Sequence, residues 1–136
     1  MAETLKVLET RRSCRAYKPQ LIEEEKLEKI IKAGTYAATG MGRQSPIIIA
    51  VTNKELRDKL SAMNARIMGK SEDFDPFYGA QELLIVLADK SAPTYIYDGT
   101  LVMGNLMNAA ADLGVDSCWI HRAKEEFESE EGKEIL

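Results

Sequence analysis

The chain has 136 residues, 45% of them hydrophobic and 29% charged, which is the balance of one folded domain with an ordinary core and excludes a disordered chain. Its formal net charge is -4. That sign excludes the overall positive field with which proteins bind DNA or RNA, so we expect no nucleic-acid partner and only a local phosphate site.

The first part of the chain predicts two helices, a loop and a buried strand. Residues 3–10 favour a short helix. Residues 23–38 place apolar side chains at i, i+3, i+4 and i+7 behind three glutamates, which predicts an amphipathic helix. Residues 39–46, with two glycines and a proline, predict a loop. The apolar, largely β-branched run Ile47–Val51 predicts a strand that is covered on both faces.

The middle of the chain predicts a capped helix, an irregular segment and a second strand. Asn53 is a candidate N-cap for a helix whose apolar residues form one stripe of Leu56, Leu60, Met63 and Ile67. Residues 69–79 have no periodicity and predict a mobile loop near a site. Residues 83–88, LLIVLA, predict a second buried strand.

The last part predicts a long helix, a third strand and the beginning of another helix. Residues 98–113 are small or apolar on nearly every side, which suits a central helix or a helix at a subunit interface. Gly114 is a candidate C-cap, and residues 115–121 predict a third strand. A charged segment begins at Ala123, and a further helix is predicted to begin near Ser129. Because the chain ends inside that helix, we expect the natural protein to continue.

The alternation of buried strands with helices predicts the fold class. Helices on both faces of a central β-sheet give a three-layer α/β (α+β) arrangement. We expect residues 1–136 to form a single domain, in which three strands make a thin sheet that the missing C-terminal part would extend.

The sequence lacks the features of membrane-spanning and secreted proteins. No segment approaches ~20 consecutive apolar residues, and the start MAETLKVLET does not have the basic and then apolar order of a signal peptide. The two cysteines, Cys14 and Cys118, have no Cys or His neighbour at zinc spacing. We therefore expect a cytoplasmic protein without a metal site or a disulfide framework, in which each cysteine is a small buried hydrophobe.

A basic cluster follows the first predicted helix. Guanidinium groups bind phosphate oxygens in a bidentate way, so the cluster is a candidate site for one phosphate monoester, and it contains Arg11, Arg12, Ser13 and Arg15. The alternative is that these arginines only cap the carbonyl groups at the end of the helix.

The segment ATGMGRQSP, residues 38–46, is a second candidate site. Its glycines free backbone N–H groups, and together with the Gln44 amide these groups can recognise the edge of a flat heterocycle. The segment does not have the spacing of a known nucleotide-binding fingerprint, so a plain connecting loop is the alternative.

Taken together, four segments resemble the FMN-dependent nitroreductase family: RRSCR, ATGMGRQSP, FYGAQELLIVLADK and GVDSCWIHR, in that order along nearly the whole chain. The resemblance implies a nitroreductase-like sheet and an FMN site shared by the two subunits of a homodimer. One subunit would hold the phosphate, ribityl and pyrimidine end with Arg11, Arg12, Ser13 and Arg15. Its segment Trp119, Ile120 and His121 would lie along the isoalloxazine ring, and the partner would contribute Thr39, Gly40, Met41 and Gln44.

The resemblance also implies an activity. Hydride would pass from NADH or NADPH by way of FMN to a nitroaromatic, a quinone or a similar small acceptor, in a ping-pong sequence. The flavin would carry the chemistry, so no side chain of the protein is expected to be catalytic. The chain departs from the family pattern at three places: Gly42 stands where Asn is common, Ser45-Pro46 replaces Pro-Trp, and His121 replaces a glycine or an acidic residue.

Two alternative functions stay open at this point. A flavin-binding or dimerisation module without turnover would explain the departures from the family pattern. Thiol chemistry would use Cys118 with His121, but residues three apart on a strand point to opposite faces. Cys14 beside the arginines is a candidate redox thiol, although the sequence places no resolving cysteine near it.

Overall fold

The computed structural model describes residues 3–136, so Met1 and Ala2 of the predicted domain lie outside the described residues. The described chain has two strands, β1 (Ile47–Val51) and β2 (Leu83–Leu87). It also has six α-helices, which are α1 (Thr4–Thr10), α2 (Glu24–Thr35), α3 (Lys54–Ile67), α4 (Tyr95–Asp112), α5 (Ala123–Glu128) and α6 (Glu130–Ile135).

The two strands form an antiparallel pair, in which Ile49 lies opposite Ile85 and Ile47 lies opposite Leu87. Because side chains alternate between the faces of a strand, this pair has an apolar residue to bury at nearly every position. On one face, Ile48 and Val86 pack against a cluster of residues from α2, its C-terminal end and α4: Ile30, Ala37, Val102, Leu106 and Ala110.

The opposite face of the sheet contributes Val51 and Ile85 to a second cluster. Their partners are Leu60 and Met63 of α3, Phe77 and Phe127. Helices therefore cover both faces of the sheet, and the predicted three-layer arrangement is confirmed. Gly34 marks how closely the layers approach, since a Cβ atom there would lie 2.6 Å from Leu106 Cδ2 and 2.8 Å from Ile48 Cδ1.

The segment between α3 and β2 is held by a buried ion pair. Arg57 is 5% exposed, and its guanidinium donates to Asp75 Oδ2 at 2.6 Å and to the Ala80 carbonyl at 2.7 Å. Asp75 also accepts from Ser61 and from two backbone N–H groups. Burial acts to raise the pKa of Asp75, but these hydrogen bonds outweigh it and the pKa is lowered. These contacts hold the end of the segment, and the mobility expected for residues 69–79 stays a prediction.

A second buried polar network joins α3 to α5. Asn64 Nδ2 donates to Glu126 Oε2 at 3.0 Å, and Arg122 Nε donates to Asn64 Oδ1 at 2.9 Å. Burial raises the pKa of Glu126, although the hydrogen bond from Asn64 and the charge of Arg122 oppose the shift. The network joins the two helices, and Glu126 Oε1 has no hydrogen-bond partner among the described residues.

Several sequence predictions are confirmed, and others need correction. Asn53 caps α3 by accepting from the Leu56 N–H at 2.8 Å, and α6 begins after Ser129. The predicted third strand is reduced to one isolated bridge at Ser117, because residues 115–121 have a neighbouring extended segment at one position only. Ile47 is 56% exposed, so β1 is not covered at its first residue. The long helix begins three residues earlier than predicted, at Tyr95.

The sequence also left two features of the helices unpredicted. The charged segment from Ala123 forms α5, whose Phe127 is buried in the second cluster. Ile67, predicted in the apolar stripe of α3, is 40% exposed, because α3 ends at this residue. No helix among residues 3–136 is long and apolar enough to cross a membrane.

Replacing Arg57 by Met tests the role of the buried ion pair. The Arg57→Met variant should lose roughly 2 kcal/mol of unfolding free energy or more, because charge-assisted hydrogen bonds are removed and Asp75 keeps a partly buried charge. The loss should diminish as the pH falls below the usual Asp pKa of 3.8, since a lowered pKa stabilises the fold above that pH and ceases to do so as the carboxylate is protonated. Urea denaturation at several pH values measures both effects.

The matched control is Lys54→Met, which breaks an exposed pair with Asp58 on the same helix. An exposed pair contributes less than about 1 kcal/mol, so this variant should unfold nearly as the parent does. Equal losses for the two variants would contradict the role given to Arg57.

Candidate functional site

Two of the segments singled out in the sequence lie side by side. Ser13 and Ser117 form a parallel bridge, and the Cys14 N–H donates to the Ser117 carbonyl at 3.0 Å. Further along, the Tyr17 N–H donates to the Tyr78 carbonyl at 3.2 Å. The basic cluster after α1 is thereby fixed against the segment that follows α4.

The arginines of the cluster have different surroundings. The guanidinium of Arg12 donates to the carbonyls of Glu9 and Arg11, at 2.9 and 2.8 Å, so it caps the end of α1. Arg11 Nη1 is buried and has no hydrogen-bond partner among residues 3–136. Arg15 and Ser13 are exposed. The capping interpretation therefore applies to Arg12, whereas Arg11 has a donor that is available for an anion.

The side chains of residues 119–121, which follow the bridge at Ser117, differ in their burial. Ile120 is half-buried and packs against the second core cluster. Trp119 is 41% exposed, and its ring lies with its centroid 6.2 Å from that of His121, at an angle of 43°. This part of the chain therefore offers two exposed aromatic rings on the segment that the bridge joins to the basic cluster.

The loop 39–46 is shaped by hydrogen bonds within itself and to α2. The Gln44 N–H donates to Thr39 Oγ1 at 2.9 Å, and Gln44 Nε2 donates to the Thr35 carbonyl at 2.9 Å. Met41 and Gln44 both have positive φ, at 56° and 50°, a conformation that side chains disfavour. Met41 is 88% exposed. The Gln44 amide therefore holds the loop with one N–H of Nε2, and its second N–H remains available to a ligand.

A buried carboxylate that was not predicted from the sequence holds this loop by a hydrogen bond. Asp98, which is 2% exposed, accepts from the Gly40 N–H at Oδ1 and from the Thr94 hydroxyl at Oδ2, both at 2.9 Å. A Cβ atom at position 40 would lie 2.2 Å from Thr94 Oγ1, so the contact requires glycine. The signal in the sequence was an acidic residue in the first turn of an otherwise apolar helix.

The third candidate segment, the loop 39–46, is not hydrogen-bonded to the other two within the described part of one chain. Within residues 3–136, no hydrogen bond connects the loop 39–46 to the basic cluster or to residues 115–121. The loop borders a pocket of about 150 Å³ that is lined by Gly34, Thr35, Thr39, Gln44, Pro46, Ile48 and Val102. Small-molecule sites usually have roughly 300–1,000 Å³, so one chain does not enclose a cofactor here.

The cysteines lie where the sequence did not predict them. Cys14 and Cys118 are partly exposed, and the bridge between Ser13 and Ser117 makes them neighbours. The expectation that each cysteine is buried is therefore wrong, and the segment of Cys118 lies next to that of Cys14 although the sequence places no cysteine near it. No hydrogen bond of the described chain joins Cys118 to His121, because the Cys118 thiol contacts the Trp119 carbonyl. Among the described residues no group of acidic, Cys or His side chains is arranged to hold a metal ion.

The sequence and the fold are similar to known proteins. A model described as Nitroreductase family matches residues 8–127. A protein of Archaeoglobus fulgidus, provisionally named an NADH dehydrogenase/NAD(P)H nitroreductase, is 32% identical over 125 residues, which are 88% of this chain and 68% of that protein. The family model therefore extends from before the basic cluster to α5.

Solved structures have the same fold. A nitroreductase with bound FMN from Bacteroides fragilis superposes with a TM-score of 0.88 at 30% identity, and the match covers 100% of this chain and 79% of that chain. An FMN-dependent nitroreductase from Clostridium difficile has a TM-score of 0.78 at 28% identity, with 85% of this chain and 59% of that chain covered. The nitroreductase fold expected from the sequence is thus confirmed.

Replacing Asp98 by Ala tests what holds the loop 39–46. The Asp98→Ala variant leaves the Gly40 N–H and the Thr94 hydroxyl without their acceptor, at a cost of about 1–3 kcal/mol. We expect faster hydrogen exchange at the Gly40 amide and faster tryptic cleavage after Arg43. Asp112→Ala, at the other end of α4, is the matched control and should leave both rates unchanged. If Asp98→Ala also left them unchanged, Asp98 would not be the group that fixes the loop.

Proposed function

Because the chain belongs to the nitroreductase family, we propose that it is an FMN-dependent oxidoreductase that takes hydride from NADH or NADPH. The observation that carries the proposal is the match of the whole chain to the Bacteroides fragilis nitroreductase with bound FMN. We propose a nitroaromatic, a quinone or a similar small molecule as the acceptor, reduced in a ping-pong sequence. FMN, when bound, supplies the redox chemistry, and the residues of the chain bind and orient it.

The surroundings of the basic cluster fit a phosphate group. The buried Nη1 of Arg11 lacks a partner among the described residues, and a phosphate oxygen would satisfy it. The exposed Arg15 and Ser13 lie within reach of the same ligand through the short segment that follows α1. Arg12 uses Nη1 for two carbonyls and keeps its other N–H groups for the cofactor. We assign the phosphate, ribityl and pyrimidine end to these four residues.

The segment of Trp119, Ile120 and His121 suits the flat ring of the cofactor. Since the Ile120 side chain packs into the core, its contribution would come from its backbone, while the exposed rings of Trp119 and His121 border the ring site. The bridge between Ser13 and Ser117 keeps this segment next to the basic cluster. Both ends of one flavin can therefore be bound by adjacent parts of one subunit.

We propose that Thr39, Gly40, Met41 and Gln44 complete the site from a second subunit of a homodimer. This assignment is supported by the lack of hydrogen bonds between their loop and the basic cluster in one chain. The small pocket beside the loop and the 88% exposure of Met41 also favour a partner. Residues 1–136 would then act as one FMN-binding domain, and a cytoplasmic location stays a prediction from the sequence.

The experiment that tests the proposal is a titration of the purified chain with FMN, followed by anaerobic NADH and NADPH. We expect FMN to bind at one site per chain, and its visible absorption to bleach when a nicotinamide nucleotide is added. In Arg11→Ala, FMN should bind about 1.5–3 kcal/mol more weakly, because a charge-assisted hydrogen bond is lost. Fluorescence quenching of FMN measures the affinity.

The control for this titration is Arg66→Ala, since Arg66 forms exposed pairs with Glu72 and Glu131 at the end of α3. It should bind FMN as the parent chain does. Equal affinities of the Arg11 and Arg66 variants would refute the phosphate assignment. FMN that binds and is not bleached by either nucleotide would favour a flavin-binding or dimerisation module without turnover over the enzyme.

The homodimer has its own test on α4. Leu101 is 50% exposed and lies close in sequence to two other exposed apolar residues, Ile96 and Tyr97, so a second subunit should cover it. We expect light scattering to give the mass of a dimer, and Leu101→Glu to give a monomer that binds FMN poorly. Ile67→Glu, at an equally apolar and exposed residue of α3, is the matched control and should stay dimeric. A parent chain that is a monomer with full flavin content would contradict the assignment.

A further inference from the structure

The two cysteines are placed as a pair by contacts that join distant parts of the sequence. Cys14 and Cys118 each follow a residue of the bridge between Ser13 and Ser117, and the Cys14 N–H donates to the Ser117 carbonyl at 3.0 Å. Paired extended segments lie about 4.8 Å apart. Disulfides need Cα atoms about 4.4–6.8 Å apart, so the backbones have the required separation.

The direction of the side chains agrees with this separation. Side chains of extended segments alternate between two faces, and paired residues of a parallel bridge point to the same face. Cys14 and Cys118 are each one residue beyond the bridge, so both point to the face opposite to that of Ser13 and Ser117. The two thiol groups therefore lie on the same face of the pair of segments.

The phenol of Tyr17 contacts the backbone of Cys14. Its hydroxyl donates to the Cys14 carbonyl at 2.6 Å, and the Cys14 thiol lies 3.1 Å from the Ala16 carbonyl. Burial raises the pKa of Tyr17, and the neighbouring Cys14 and Cys118 raise it further. This effect of both cysteines on the pKa of Tyr17 agrees with the placement that the bridge gives them.

We propose that Cys14 and Cys118 form a reversible intrachain disulfide when the chain meets a small-molecule disulfide such as oxidised glutathione. Both cysteines are partly exposed, so a small reagent can reach them. The disulfide would join residue 14 to residue 118 and close a loop that contains both strands and the helices α2, α3 and α4. The basic cluster and the Trp119 segment would then be covalently linked next to each other.

The chemistry is two successive thiol–disulfide exchanges. One cysteine, as its thiolate, attacks a sulfur of the glutathione disulfide, which forms a mixed disulfide and releases one glutathione thiolate. The second cysteine then attacks the protein sulfur of the mixed disulfide and releases the second glutathione. Two protein thiols lose two electrons and two protons in all, and one glutathione disulfide becomes two glutathione thiols. An added dithiol reverses both steps.

The test treats the purified full chain with oxidised glutathione, quenches it with acid, and combines intact mass, thiol titration in denaturant and peptide mapping without reduction. We expect the mass of a single chain that has lost two hydrogens and has no covalent link to another chain. We also expect no titratable thiol and one cross-linked peptide containing Cys14 and Cys118. A dithiol should restore both thiols, and the midpoint of urea denaturation should be higher for the oxidised form, because the cross-link constrains the unfolded chain.

The matched control exchanges two neighbouring residues. The double variant Ser13→Cys/Cys14→Ser keeps the composition but moves the thiol to the opposite face of its segment, so glutathione adducts should form on it without a cross-link. The single variant Cys118→Ser should carry one glutathione adduct at position 14. Separate adducts on both cysteines of the parent chain, cross-links between chains, or equal cross-linking in the double variant would each overturn the proposal. None of these readouts requires FMN, so they do not depend on the flavin assignment.

Discussion

The fold depends on a pair of strands whose two faces are both apolar. Side chains alternate along β1 and β2, and nearly all of them are apolar, so the two faces of a very thin sheet must each be covered. The helices α2 and α4 do this on one face, and α3 with Phe77 and Phe127 does it on the other. The end of α2 must therefore pack closely against α4 and the sheet. Gly34 allows this because it has no side chain to collide with Leu106 and Ile48. This close packing fixes where the loop 39–46 begins, because the loop connects α2 to β1.

The same constraint gives α4 two roles. Its inner face supplies Val102, Leu106 and Ala110 to the core, while its first turn holds the Gly40 backbone through the buried Asp98 carboxylate. A loop with two positive φ angles at non-glycine residues would relax if it were held by its own hydrogen bonds alone. The loop keeps its strained shape because Asp98, which accepts from the Gly40 N–H, belongs to α4. The position of α4 is fixed by its residues in the core.

The sequence predicted those parts of the structure that periodic patterns describe. Apolar runs located β1 and β2, the spacing of apolar residues located α2 and α3, and Asn53 located the cap of α3. It failed where the outcome depends on pairing between distant residues. Residues 115–121 have the composition of a strand, but one bridge to Ser13 is all the pairing they find. The ion pair of Arg57 with Asp75 could not be predicted for the same reason, since no local pattern tells which charges will meet.

The candidate site was likewise predictable only in part from the sequence. The arginines, the glycine loop and the Trp119 segment were found from their residue types, but their different roles come from the fold. Arg12 lies where α1 exposes carbonyls, and so it caps the helix. Arg11, one residue earlier, turns a guanidinium nitrogen inward without a partner in the described chain. A buried donor of this kind costs about 1–3 kcal/mol when unsatisfied, and an anion that binds it returns that free energy as affinity. Among the four residues of the basic cluster, Arg11 is therefore the one expected to contribute most to binding a phosphate.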